Sequence, residues 1–176
     1  MSQTDAHYQL PTANVPKGTT VLIVRAPYYK KIGDDLLEGA QKAITDAGAT
    51  FETLDVPGAL EIPTAISIAA SSNKFDGFVA LGCVIRGETT HYDTVCNDSS
   101  RALTLLGLQG CCIGNGILTV ENADQAEVRA DPEGQNKGGG AAEAALHLIA
   151  AKNRFGKSTQ RRSIGFLPDS EHFDIA

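Results

Sequence analysis

The chain has 176 residues, the size of one ordinary domain, and 42% of them are hydrophobic, enough for one buried core and unlike a disordered composition. Its formal charge is −6, which argues against a general nucleic-acid or anionic-membrane binder, so an anionic substrate needs a local cluster of Arg, Lys and helix-end amides. Tryptophan is absent and aromatics make up only 6%, so small aliphatics must fill the core.

Residues 1–18 carry Pro11, Pro16 and polar residues and read as an arm, without the apolar region of a secretory signal. Thr20–Arg25 is a short apolar run that predicts a buried strand. Ile32, Leu36, Leu37, Ala40, Ile44 and Ala47 recur at helical spacing over Lys31–Ala47, and Gly48 ends that helix. Thr50–Val56 predicts a second strand, Pro57-Gly58 a turn, and Leu60–Ser71 a helix with Pro63 in its first turn. Phe78–Val84 predicts a third strand.

Thr90-His91-Tyr92-Asp93 has the form of a capping box opening a helix to about Leu106. Cys111–Leu118 predicts a fourth strand, and Asn122 with Gln125 signals a cap before a short helix through Arg129. Asp131–Gly140 reads as a polar, Gly-rich loop, Ala141–Ala151 as an Ala-rich helix, and the residues from 156 to 176 as a tail. Alternating strands and helices imply βαβ units with right-handed crossovers. The expected fold is a three-layer α/β/α sandwich on a four-stranded parallel sheet, with one domain over 19–155. Ligands of such sheets bind beyond the carboxyl ends of the strands.

No apolar run approaches the ~18 residues of a membrane span. Cys83, Cys96, Cys111 and Cys112 form no C-x-x-C pair and read as reduced thiols of a cytoplasmic protein, without zinc-ligand spacing. No metal is expected.

The most informative stretch runs from Leu81 to Asp93, as strand, glycine turn and helix start. A helix N-terminus offers unpaired amides and partial positive charge to a phosphate. Gly82-x4-Gly87 lacks the Lys-Ser/Thr of a P-loop, since Glu88-Thr89 follows. His91 stands on the first turn of that helix; an imidazole there either caps the surface or moves protons beside the anion. Glu88 would repel a phosphate through its side chain, so its backbone amide is the part expected to face the anion. Glu61, with Ala59 and Leu60, follows the second strand at the same sheet edge and suits a polyhydroxylated ligand. Tyr28 follows the first strand, where a ring can stack on a flat heterocycle. Arg129 and Lys137 are ordinarily solvated charges, yet together they supply the local cations that an acidic chain needs.

These segments resemble the lumazine synthase family. The matching stretches are VPGALEIP (Val56–Pro63), LGCVIRGETTHYD (Leu81–Asp93), GILTVENADQA (Gly116–Ala126) and NKGGGAAEAAL (Asn136–Leu146), in the same order and spacing over about residues 19–155. The resemblance implies a flavodoxin-like sandwich. It implies the joining of 5-amino-6-(D-ribitylamino)uracil to 3,4-dihydroxy-2-butanone 4-phosphate, giving 6,7-dimethyl-8-ribityllumazine, phosphate and water, a step of riboflavin biosynthesis that requires no redox cofactor or metal. It places the proton-transferring histidine at His91, the phosphate-holding amides at Glu88 and Thr89, and the closing arginine at Arg129. The ribityl chain falls to Ala59, Leu60 and Glu61, the pyrimidine to Cys83, Val84 and Ile85, the stacking ring to Tyr28, and a lysine near the ligand to Lys137.

Three positions depart from the pattern. Many members have Arg-Phe-Asn after the first strand, where this chain reads Pro27-Tyr28-Tyr29. Asn115 stands where many have a Phe that contacts the ligand from the neighbouring subunit, and Glu133 where some have a second lysine. The resemblance also implies a homo-oligomer of pentamers (pentamer, decamer or sixty-subunit cage) with active sites between subunits. Three other readings stand beside this one: a binding shell for flavin-like ligands, a flavodoxin-type electron carrier, and a phosphate-binding regulatory domain, the last lacking its acidic cluster after the first strand, where Arg25-Ala26-Pro27 stands.

Overall fold

Four strands with a two-residue alternation of inward side chains organise the molecule, whose computed structural model describes residues 10–156. The arm at 1–18 and the tail at 156–176 lie outside the described residues, apart from 10–18 and Gly156. β1 (Thr20–Arg25), β2 (Thr50–Asp55), β3 (Gly77–Ile85) and β4 (Ile113–Val120) form one sheet in the order β2-β1-β3-β4, every pair parallel. The chain steps from β1 outward to β2, then crosses back over β1 to β3. That reversal opens a crevice at the carboxyl ends of β1 and β3, where a ligand site is expected.

α1 (Lys30–Asp46), α4 (Ala123–Ala130) and α5 (Lys137–Gly156) pack together on one face, and α2 (Glu61–Ala70) and α3 (His91–Leu108) on the other. Val21, Ile23, Val79 and Leu81 point into the first layer against Leu36, Ile44, Ala142 and Leu146. Leu22, Val24, Phe78 and Ala80 point into the second, against Ile62, Ile66 and Leu103. The expected three-layer α/β/α sandwich is the observed one.

Local signals explain most of the boundaries. Gly48 ends α1 with φ +74, as a glycine beyond a helix terminus does. The Asn122 side chain accepts from the Gln125 amide at 3.0 Å, and Gln125 accepts from the Glu121 amide at 3.0 Å, a reciprocal cap before α4. Thr90 precedes α3 as expected, but its side chain makes no capping bond. Asp93, the acid of the anticipated box, is drawn instead to Arg86 at 3.4 Å.

α5 begins at Lys137, four residues earlier than its Ala-rich stretch suggests, so Gly138–Gly140 are helical. Glycine weakens a helix interior, but here the glycines let α5 meet α1. A Cβ on Gly138 would collide with the backbone of Leu36, and one on Gly39 with the Asn136 side chain. Asn136, at φ 45, opens the helix by accepting from the Gly139 amide at 3.0 Å. Among the described residues no helix is long and apolar enough to cross a membrane.

Candidate active site

The loops that leave β1, β2 and β3 enclose a cavity of about 530 Å³. Tyr28 and Tyr29 form one wall, Pro57 to Glu61 another, and Cys83, Val84 and Ile85 the floor, while Gly87, Thr89, His91, Tyr92 and Val95 close the far end. The ladders run to the rim: Val56 donates to the Arg25 carbonyl at 2.8 Å, Ala26 to Leu81 at 2.9 Å and Arg86 to Val120 at 2.9 Å.

Tyr28 is 76% exposed and meets Tyr29 edge to face, with ring centroids 5.1 Å apart. Tyr29 is half-buried, and burial raises its phenol above the ordinary value, with Cys83 and Tyr28 adding to the effect. The Tyr28 ring thus stands at the rim with one face open, the posture required for stacking on a flat heterocycle. Glu61 opens α2, and Gly58 leaves room for its carboxylate, since a Cβ there would lie 2.8 Å from Glu61 Oε2. Burial pushes the Cys83 thiol up to about 11. It is therefore neutral at physiological pH and serves as an apolar floor rather than a nucleophile.

His91 is the first residue of α3, exposed, with its amide donating to Thr89 Oγ1 at 3.4 Å. Arg86 fixes the base of this turn. It bonds Glu121 at 2.9 Å, reaches Asp93 at 3.4 Å and lies over the Tyr92 ring at 4.0 Å. Glu88 is exposed beside the cavity without lining it.

A second hollow, about 450 Å³, lies along the outer edge of β4 and is lined by Asn115, Arg129, Lys137 and Ala141. Arg129 is partly buried and donates to the Gln125 carbonyl at 2.9 Å. Asn115 Oδ1 accepts from the Ile117 amide at 3.0 Å. Gly114 and Gly116 serve packing, since a Cβ on either would crowd Ala141.

The sequence profile of 6,7-dimethyl-8-ribityllumazine synthase matches residues 18–153. Proteins of that name are close in sequence: one from Jannaschia sp. (strain CCS1) is 57% identical over 159 residues, 90% of this chain and 87% of that protein. One from Bartonella tribocorum is 58% identical over 138 residues (77% and 91% of the two chains), and one from Sphingopyxis alaskensis 54% over 136 residues (77% and 96%). The chain belongs to the 6,7-dimethyl-8-ribityllumazine synthase family. It is a transferase of riboflavin biosynthesis with the flavodoxin-like fold of that family.

Set against the lumazine synthase pattern, the first cavity gathers Tyr28, Ala59, Leu60, Glu61, Cys83, Val84, Ile85, Thr89 and His91 around one space. Asn115, Arg129 and Lys137 are not brought there; they line the hollow at β4. Tyr29, Tyr92 and Val95 also line the first cavity and were not singled out from sequence. Val95 lies four residues after His91, and that helical spacing places both on one face of α3.

Proposed function

We propose that this lumazine synthase binds its two substrates in the first cavity and completes that cavity with the β4 hollow of a second copy. The cavity holds the ribitylamino-pyrimidine against Tyr28, with Cys83, Val84 and Ile85 beneath the ring and Ala59, Leu60 and Glu61 along the ribityl chain. The butanone phosphate sits at the mouth of α3, on the amides of Glu88 and Thr89, beside His91.

One observation carries the two-copy reading. The residues lining the first cavity include no lysine or arginine, and Glu61 is their one standing charge. A phosphate needs cations there, and Arg129 and Lys137 stand together on a separate face of the same chain. A neighbouring copy supplies both at once, and a ring of such head-to-tail contacts closes as a cyclic oligomer. Pentamer-based assembly in the cytoplasm is the form consistent with the family.

The chemistry requires placement and proton movement. The pyrimidine amine attacks the ketone carbon, and the carbinolamine loses water to give an imine. Phosphate leaves, the side chain tautomerises, and the second nitrogen of the pyrimidine closes the ring with loss of another water. No step needs a nucleophile from the protein, so holding two reactants together provides much of the rate. His91 moves protons to and from the departing groups.

Mixed assembly tests the reading. His91→Ala and Arg129→Ala chains are each expected to be impaired alone. Co-refolded, they form some sites with both residues intact, so lumazine formation should rise above that of either parent. Activity no higher than the parents' average would refute a shared site.

A further inference from the structure

We infer that Arg25 is a positioning residue for the pyrimidine: it locks together the two loops that form the walls of the first cavity. The inference rests on the cavity assignment above and adds to it a residue that does not touch the ligand space.

Arg25 ends β1, immediately before the loop that carries Tyr28 and Tyr29. Its guanidinium is spent on two carboxylates from different elements. Nε and Nη2 grip Asp55 at 2.9 and 2.8 Å, and Nη1 reaches Asp34 at 2.8 Å. Asp55 ends β2, so the fork fixes the start of the wall from Pro57 to Glu61. Asp34 lies in the first turns of α1, so the third bond fixes the far end of the tyrosine loop. The Tyr28–Tyr29 loop is thus held between Arg25 at its root and Asp34 at its exit.

Packing closes the same bracket. Gly33 donates to the Tyr29 carbonyl at 2.9 Å, and a Cβ on Gly33 would lie 3.3 Å from Pro27 Cα and 3.9 Å from Arg25 Cδ. Glycine there lets α1 press on both the loop and the arginine stem. The Arg25 side chain is only 13% exposed, whereas Asp34 and Asp55 are about half exposed. A planar fork that matches a carboxylate with two parallel bonds fixes direction as well as distance, which a lysine does not do.

Steady-state kinetics on the assembled enzyme test the role. Arg25→Gln should raise KM for the ribitylamino-pyrimidine about tenfold, within the ~10²-fold that a misplacement of roughly 1 Å can cost. KM for the butanone phosphate should stay within about twofold, because a lost positioning contact for one substrate is not a lost contact for the other. Arg25→Lys should restore part of the loss. Asp55→Asn should add little on top of Arg25→Gln, since coupled partners are not additive. Equal rises in both KM values, no rise in either, or additive effects in the double variant would overturn the inference. If Arg25→Gln does not fold, Asp34→Ala removes one bond to a half-exposed carboxylate and should move the same KM in the same direction; no change overturns the inference. Tyr28→Ala separates the two levels: a pyrimidine KM unmoved by Tyr28→Ala sinks the cavity assignment and this inference with it, whereas a raised one beside an inert Arg25→Gln sinks only the role of Arg25.

Discussion

Gly138 of α5 and Leu36 of α1 meet backbone to backbone, so that a single methyl on Gly138 would overlap the Leu36 carbonyl. Such an obstacle cannot rotate away as a side chain can. Gly138→Ala should therefore destabilise the fold by about 1–3 kcal/mol or more, lowering the thermal midpoint by roughly 2–4 °C per kcal/mol for a chain of this size. Gly107, in the last turn of α3 with open space around it, is the matched control: Gly107→Ala should be neutral or raise stability by up to about 0.5–1 kcal/mol through helix propensity alone. Calorimetry on both variants checks the pair. A neutral Gly138→Ala would mean that the α1–α5 contact is looser than the structure has it.

The same glycines show where sequence was hard to read. A run of three, Gly138–Gly140, reads as loop because glycine disfavours helices, yet tertiary packing overrides that local cost. The signal available was the matching small residue on the partner helix, Gly39, which lacks meaning until α1 and α5 are known to touch. The two central strands, β1 and β3, were legible because buried parallel strands are continuous apolar runs, as Thr20–Arg25 and Gly77–Ile85 are.

His91→Ala should lower kcat by about 10²-fold or more, the range of positioned acid–base help. His91 is exposed at the start of α3, so the thermal midpoint should not move. Lumazine absorbance gives the rate and a melting curve the control. An unchanged turnover would remove His91 from the mechanism.

Arg129→Ala should act on one substrate. A charged hydrogen bond is worth about 1.5–3 kcal/mol, so KM for the butanone phosphate should rise by roughly ten- to a hundredfold. KM for the pyrimidine should hold. Inorganic phosphate, as a competitive inhibitor, should weaken in parallel; inhibition of undiminished strength would count against the assignment.

Cys83 should be inert to alkylation at neutral pH. Burial pushes its thiol up to about 11, and the thiolate is the reactive form. The folded state keeps the proton where an unfolded thiol, near 9.0, has lost it. The stability linked to Cys83 is therefore full below about pH 9 and is lost as pH rises toward 11. Iodoacetamide labelling followed by mass spectrometry should find the Cys83 peptide unmodified at neutral pH and modified as pH approaches 11. Rapid labelling at pH 7.5 would show the cavity floor to be more open than described.

The candidate site was legible in unequal parts. Val56–Pro63 and Leu81–Asp93 were readable because each couples a strand end to a helix start, and the crevice rule then brings them together. The capping box at Thr90 failed because the Thr90 backbone is itself helical, at φ −69 and ψ −1, rather than extended as at an N-cap, and the Asp93 side chain turns to Arg86, just past β3. Arg129 and Lys137 were identified as cations for a phosphate, but one-dimensional spacing does not reveal that they occupy a different face from His91.

The chain contains no tryptophan and four tyrosines, and three of them, Tyr28, Tyr29 and Tyr92, line the first cavity. Its ultraviolet emission therefore originates largely at the place where a heterocycle would settle. A flat absorbing guest beside those phenols should quench them by proximity and energy transfer, so an unlabelled titration can report occupancy directly.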